Sequence, residues 1–131
     1  MIGLDSNIIL RAITNDDPKQ SPCARAFLGA LTAADQGVLN PVVLAEISWT
    51  LRKRYRRPHS EVLLSLDDLL RSDSYFVTDR DAVNRAIERC SSSNLEFADS
   101  LIGELNLIAG AGRTVTFDKE AAATPAFERL E

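Results

Sequence analysis

Cysteine, histidine and glycine are scarce in this sequence, and their scarcity excludes several kinds of site. The chain of 131 residues has two cysteines, one histidine and six glycines. Cys23 and Cys90 form no C-x-x-C pair, so we predict reduced thiols on helices rather than a disulfide. His59 alone cannot supply a zinc-protease site, and no G-x-S-x-G segment supports a serine triad around it. The glycines form no phosphate-binding loop of the nucleotide-binding types.

Long hydrophobic runs are also absent. A membrane span needs about 20 apolar residues, and the first apolar segment is interrupted by Asp5 and Arg11. That segment also does not fit a secretory signal, so we expect a cytoplasmic protein without a membrane segment. A hydrophobic content of 45% and a charged content of 26% are ordinary for globular proteins. The length predicts a single domain over residues 1–131.

The net charge of −4 is weak evidence against a nucleic-acid partner, since a basic surface is the usual sign of one. Two divalent cations would cancel that charge if some of the acids were metal ligands. Arginines greatly outnumber lysines, and the planar guanidinium suits phosphate recognition. A biased base composition of the gene would give the same excess.

Short apolar segments alternate with helical patterns along the chain. We predict strands at residues 2–4, 37–39, 75–77 and 114–117, the first of them buried. The segments between them are long enough for helices, and a helix over 97–109 should turn Leu101, Ile102, Leu105 and Ile108 inward. From residue 119 we expect a short helix or an irregular tail. The alternation predicts an α/β fold with three layers, α/β/α, around a short and mostly parallel sheet.

Four carboxylates lie within apolar stretches: Asp5, Glu46, Asp99 and Asp118. An isolated charge in such surroundings costs several kcal/mol, so we predict that the four converge and share a cation. Ligands made only of oxygen suit Mg²⁺ or Mn²⁺ far better than zinc. The pattern indicates a metal-dependent enzyme that cleaves phosphodiester bonds.

Their positions favour convergence. Asp5 follows the first predicted strand and Asp118 the last, and ligands of parallel α/β sheets bind beyond the carboxyl ends of the strands. Asp99 falls in the first turn of its helix, and Glu46 is predicted on the inward side of its own. As an alternative, Asp5 and Asp99 could be helix caps or first-turn acids, and Asp118 a turn residue.

The four motifs, in this order, resemble those of PIN-domain ribonucleases, most closely the VapC toxins of bacterial toxin–antitoxin pairs. They are Leu-Asp-Ser-Asn from residue 4, Leu-Ala-Glu-Ile-Ser-Trp from 44, Phe-Ala-Asp-Ser-Leu-Ile from 97 and Thr-Phe-Asp-Lys from 116. The resemblance implies that the four acids bind Mg²⁺ or Mn²⁺, with Ser6, Asn7 and Thr116 as supporting polar residues. Ser6 replaces the usual Thr of the family and keeps the hydroxyl. The resemblance also implies RNA cleavage, a cognate antitoxin and a homodimer.

One basic cluster, residues 52–57, lies at the end of the helix that carries Glu46. Arg52, Lys53 and Arg54 could track RNA phosphates, because Lys53 and Arg54 share the face of Glu46 about 10–12 Å along the helix. Alternatively, the cluster is a solvated helix end whose cations complement the helix dipole. Trp49 and Phe97 are predicted to be core residues rather than base-stacking platforms, and His59 a solvent-facing residue.

Two other functions compete with the nuclease. A phosphoacceptor receiver domain would need adjacent acids after the first strand, where Asp5 stands alone, and a phosphorylatable Asp after the third. A catalytically silent PIN-like domain that binds RNA or protein would have lost one or more of the four acids, and all four are present. The metal-dependent ribonuclease is therefore the main prediction.

Overall fold

The computed structural model describes residues 1–131, which form two compact units. The first unit is Met1–Thr78 and the second is Asp79–Glu131. The single domain over residues 1–131 stays a prediction. None of the helices has the length and apolar character that a membrane span requires.

The first unit contains three parallel strands and four helices. The strands pair in the order β1-β2-β3, and Gly37 of the central strand lies opposite both Ile2 and Tyr75. Parallel neighbours need crossover connections, which two helices supply on each occasion. In chain order the elements are β1 Ile2–Gly3, α1 Ser6–Thr14, α2 Gln20–Gly29, β2 Gly37–Leu39, α3 Pro41–Lys53, α4 His59–Arg71 and β3 Tyr75–Val77.

The start of helix α3 agrees with two local signals in its sequence. The Asn40 side chain accepts a hydrogen bond from the Val43 amide at 3.0 Å, and Pro41 occupies the first turn. Both residues are favoured at these positions because the first amides of a helix lack partners within it. The helix buries Leu44 and Ile47 completely. Because this side of α3 is buried, the side that carries Glu46 is exposed.

The prediction of a buried first strand is wrong for β1 itself. Ile2 is 46% exposed and Gly3 is exposed, whereas the next residue, Leu4, is buried. Strand β1 is at the edge of its sheet and only two residues long, so little covers it. Leu4 packs over Gly37, where an added Cβ would stand 2.5 Å from the Leu4 Cδ1 atom. Leu4 therefore anchors the chain directly before Asp5.

The second unit contains three helices and two strands that pair with each other in parallel. Thr114 lies opposite Phe127 and Thr116 opposite Arg129. The α/β class and the parallel pairing are thus confirmed, although the strands form two separate ladders. The elements are α5 Arg80–Ser91, α6 Phe97–Ile108, β4 Thr114–Thr116, α7 Lys119–Ala122 and β5 Phe127–Arg129.

Two expectations for this unit are corrected. Ile102 and Ile108 are 51% and 53% exposed instead of facing inward. Helix α6 turns a different side to its neighbours, and a Cβ on its Gly103 would meet the Phe127 ring at 2.6 Å. Strand β5, which carries Phe127, was not predicted because three residues show no readable period. The wrong helix face has a different cause, because the side of α6 that is buried depends on the elements packed against it.

Candidate active site

Asp5 is the residue before α1 and caps its N-terminus. Its Oδ1 atom accepts a hydrogen bond from the Ser6 amide at 2.8 Å, and the residue is exposed. The cap alternative is therefore realised at this position. The Oδ2 atom makes no hydrogen bond within the protein, so capping leaves one carboxylate oxygen for another role.

Glu46 lies on the outer side of α3, contrary to the prediction of an inward position. It is exposed, and so are Val42 and Trp49, at 68% and 60%. The helix is apolar on two sides, and it is the side with Leu44 and Ile47 that is buried. The prediction that Trp49 belongs to the core is wrong for the same reason. Phe97, by contrast, is buried as predicted.

Ser6 joins the two acids of the first unit. Its amide donates to Asp5, and its hydroxyl donates to the Glu46 Oε2 atom at 2.6 Å. The Ser6 residue is only 3% exposed, so the hydroxyl is held against Glu46 by the surrounding chain. A serine predicted only as a supporting residue thus fixes a carboxylate 40 residues further along the chain.

Asn7, the second supporting residue, is exposed and lines a cleft between α1 and α2. The cleft has a volume of about 620 Å³ and a mostly apolar wall. Its other residues include Leu4, Ile8, Arg11, Cys23 and Phe27. The sequence patterns do not predict this cleft, because neither helix shows by its own period which neighbour it packs against.

In the second unit, Asp118 caps α7 as Asp5 caps α1. Its Oδ1 atom accepts hydrogen bonds from the amides of Glu120 at 2.9 Å and Ala121 at 3.5 Å. Thr116 supports it, because the Thr116 hydroxyl accepts from the Asp118 amide at 3.1 Å. Asp99 lies in the first turn of α6, where it is half-buried. The first-turn position predicted for Asp99 is confirmed, whereas Asp118 follows β4, which is not the last strand because β5 comes after it.

The donor chemistry of these residues suits a hard divalent cation. Glu46 and Asp118, like Asp5, each use one carboxylate oxygen within the protein and keep the other without a hydrogen bond. Carboxylate and hydroxyl oxygens are the ligand types that Mg²⁺ and Mn²⁺ take. No group of three or more Asp, Glu, His or Cys side chains forms a ready metal site. The convergence of all four acids stays a prediction.

The basic cluster, residues 52–57, combines a side chain that is bonded to the local backbone with several exposed cations. The Nη1 atom of Arg52 donates a hydrogen bond to the Arg57 carbonyl oxygen at 3.1 Å, so the Arg52 side chain helps to hold the backbone that follows α3. Lys53 and Arg54 are exposed and have no ion-pair partner. Lys53 ends α3, and its charge complements the helix dipole there. Both cations are accessible to phosphate. This exposure agrees equally with the alternative of a solvated helix end, so it does not decide between the two interpretations.

Asp16 ties this cluster to the end of α1. The Tyr55 hydroxyl donates to Asp16 at 2.5 Å, and the Thr14 hydroxyl and the Arg11 guanidinium donate as well. These hydrogen bonds, that of Tyr55 first, lower the pKa of Asp16 to about 2. The segment that follows α3 is therefore held by a carboxylate that stays ionised at any physiological pH.

An ion triad in the second unit was not predicted. Glu104 of α6 is fully buried and accepts hydrogen bonds from the Nε atoms of Arg85 and Arg89 of α5. The acid lies in the segment Leu-Ile-Gly-Glu-Leu, an apolar context like those of the four motif acids. Apolar context alone therefore does not separate a structural carboxylate from a metal ligand.

The remaining reactive side chains do not form a site. Cys23 and Cys90 are free thiols on helices, the first exposed and the second buried, and burial raises the pKa of Cys90 to about 11. His59 is the first residue of α4 and is half-buried. Neither the thiols nor the imidazole belongs to the site around Asp5 and Glu46.

Comparison with known protein families matches residues 2–126 to the family described as PIN domain. The matched stretch includes all four motif acids and the three supporting polar residues. No curated protein matches the chain.

Proposed function

Because the chain belongs to the PIN-domain family, whose members are typically nucleases, we propose that it is a metal-dependent endoribonuclease acting as the toxin of a toxin–antitoxin pair. The observation that supports this best is the link from Asp5 through Ser6 to Glu46. It holds two motif acids at one place, each with a carboxylate oxygen not used by the protein.

Asp5 and Glu46 would hold Mg²⁺ or Mn²⁺ through these oxygens, and in the proposal Asp99 and Asp118 complete the set. The bound cation supplies a Lewis acid that activates water and offsets the charge developing on the phosphate. Ser6 has a positioning role. Its hydroxyl is buried and already donates to Glu46, so it keeps the carboxylate in one rotamer and is poorly placed to attack a phosphate itself.

Substrate binding is assigned to the end of α3. Lys53 and Arg54 are exposed cations without an ion-pair partner, on the helix that carries Glu46. Phosphate contacts of this kind give affinity without sequence preference. Replacing both by Gln is therefore expected to weaken the binding of all RNA sequences alike. The preference for a particular RNA must come from other contacts.

The proposed partners are a cognate antitoxin and a second copy of the chain. Exposed apolar side chains such as Phe27 and Phe76, at 42% and 46%, support protein contacts of some kind. A partner that covers such side chains removes their apolar surface from water, which favours association. Co-expression of the neighbouring small gene product and measurement of the mass in solution test the two partners separately.

The decisive experiment is Asp99→Asn, assayed for cleavage of total RNA in Mg²⁺ or Mn²⁺ and for growth inhibition. The change keeps the size of the side chain and removes its charge, so both activities should be lost while the fold survives. Asp81→Asn is the matched control, because Asp81 is an exposed first-turn acid of α5. It should keep cleavage and cost only about 0.3–1 kcal/mol of helix-dipole stabilisation.

Two outcomes would contradict the proposal. Cleavage by Asp99→Asn at the wild-type rate would remove Asp99 from the catalytic set. RNA binding without any cleavage by the wild-type protein would favour a catalytically silent RNA-binding domain.

A further inference from the structure

The outer face of α3 carries four exposed side chains in one row. Val42, Trp49 and Lys53 lie four residues before, three after and seven after Glu46. Residues at these intervals share one side of a helix. At about 1.5 Å per residue, Trp49 is about 4.5 Å beyond Glu46 along the axis and Lys53 about 10.5 Å. The indole thus lies between a motif acid and a cation.

The exposure of Trp49 is not required by the packing of α3. The buried side of the helix is already filled by Leu44, Ile47 and Leu51, each fully buried. Trp49 is 60% exposed and is the only tryptophan of the chain. A large indole left in water is unfavourable, and a ligand that covers Trp49 would remove its apolar surface from water.

The neighbours of Trp49 favour a nucleic acid over a protein as the occupant. Glu46 is one turn before it and Lys53 one turn after it, and both are exposed. Lys and Glu are depleted at the core of protein–protein interfaces. Sites for single-stranded RNA, by contrast, combine an aromatic platform for a base with a cation for the backbone.

We propose that Trp49 is a stacking platform for an RNA base next to the phosphate that is cleaved, with Lys53 contacting the backbone on the far side. This rests on the proposed ribonuclease function. A base in duplex RNA must leave the double helix before it can stack on a side chain. The site should therefore bind single-stranded RNA and reject duplex RNA. Every base has a π-face, so stacking itself should discriminate little between sequences.

The test uses the fluorescence of the only tryptophan. Asp99→Asn protein with Mg²⁺ is titrated with a single-stranded RNA oligonucleotide, a duplex RNA of the same sequence and inorganic polyphosphate. Stacking should quench the Trp49 emission with the single strand, while polyphosphate, which has no bases, should leave it unchanged. Quenching that is equal for polyphosphate and RNA, or absent while RNA binds, would overturn the inference.

Substitutions give the second measurement. Trp49→Ala should weaken single-strand binding by roughly five- to a hundredfold, since one base stack is worth that factor, and Trp49→Phe should restore most of it. Leu64→Ala is the control, because Leu64 is 63% exposed on α4 of the same unit and outside the row. It should bind RNA as the wild-type protein does.

The outcomes separate this inference from the function on which it rests. Wild-type cleavage of RNA together with unchanged binding by Trp49→Ala would overturn the stacking role and leave the ribonuclease intact. No cleavage or binding by the wild-type protein would overturn both. Self-association that is lost in Trp49→Ala, with RNA affinity unchanged, would assign the face to a second copy of the chain instead.

Discussion

At the N-terminus of α1, the Asp5 carboxylate caps the helix through the Ser6 amide. Asn is as good an N-cap as Asp, whereas Ala is a poor one. Asp5→Asn should therefore keep the unfolding free energy within about 0.5 kcal/mol of wild type, and Asp5→Ala should lose about 1 kcal/mol. Both should abolish RNA cleavage. Denaturant unfolding and a cleavage assay measure the two effects, and an active Asp5→Asn would reduce Asp5 to a cap.

A pH-dependent stability is expected from Asp16. Its pKa is lowered from 3.8 to about 2, first by the Tyr55 hydroxyl. A lowered folded-state pKa gives stability that is full above the unfolded value and is lost as the pH falls through about 2. Tyr55→Phe should therefore lower the melting midpoint at neutral pH, and the gap to wild type should narrow below about pH 4. Melting curves at several pH values measure this; a gap of constant size would contradict the assignment.

Residue positions were the most predictable part of the candidate site. The backbone placement of Asp5, Asp99 and Asp118 follows from caps and helix starts, which are encoded within a few residues. The orientation of Glu46 and Trp49 was predicted wrongly. Both follow from which side of α3 finds a neighbour, and that information is not in α3.

Between elements, the Glu104 triad gives a prediction about α5 and α6. Glu104→Gln removes the buried charge that balances Arg85 and Arg89, whose side chains are 47% and 31% exposed. Since both arginines can recover some hydration, the cost should be about 1–3 kcal/mol rather than the full penalty of a broken buried pair. Denaturant unfolding measures it.

The control for this prediction is Glu88→Gln. Glu88 is an exposed acid of α5 and should change stability by less than about 0.5 kcal/mol. Equal effects of the two substitutions would show that the triad adds nothing beyond surface charge.

At the scale of the whole molecule, the proposed function predicts stabilisation by divalent metal. A ligand that binds only the folded state at a hundredfold excess over its Kd adds about 2.7 kcal/mol. Thermal unfolding should therefore shift to higher temperature in Mn²⁺, and a chelator should reverse the shift. The double variant Asp5→Asn with Glu46→Gln should show a smaller shift. No shift for wild type at millimolar Mn²⁺ would contradict binding by these acids in the absence of RNA.

The sequence by itself determined the α/β alternation, the starts of the main helices and the order of the four acids. Periodicity indicates whether a segment is a helix or a strand, and Asn40 with Pro41 indicates where α3 begins; both signals are contained within a few residues. The tertiary structure decided which sides of α3 and α6 are buried, the pairing of β4 with β5, and the hydrogen bond between Ser6 and Glu46 across 40 residues. A helix that is apolar on two sides can bury either one, and the choice depends on the volume and shape of its neighbours, which no local pattern contains.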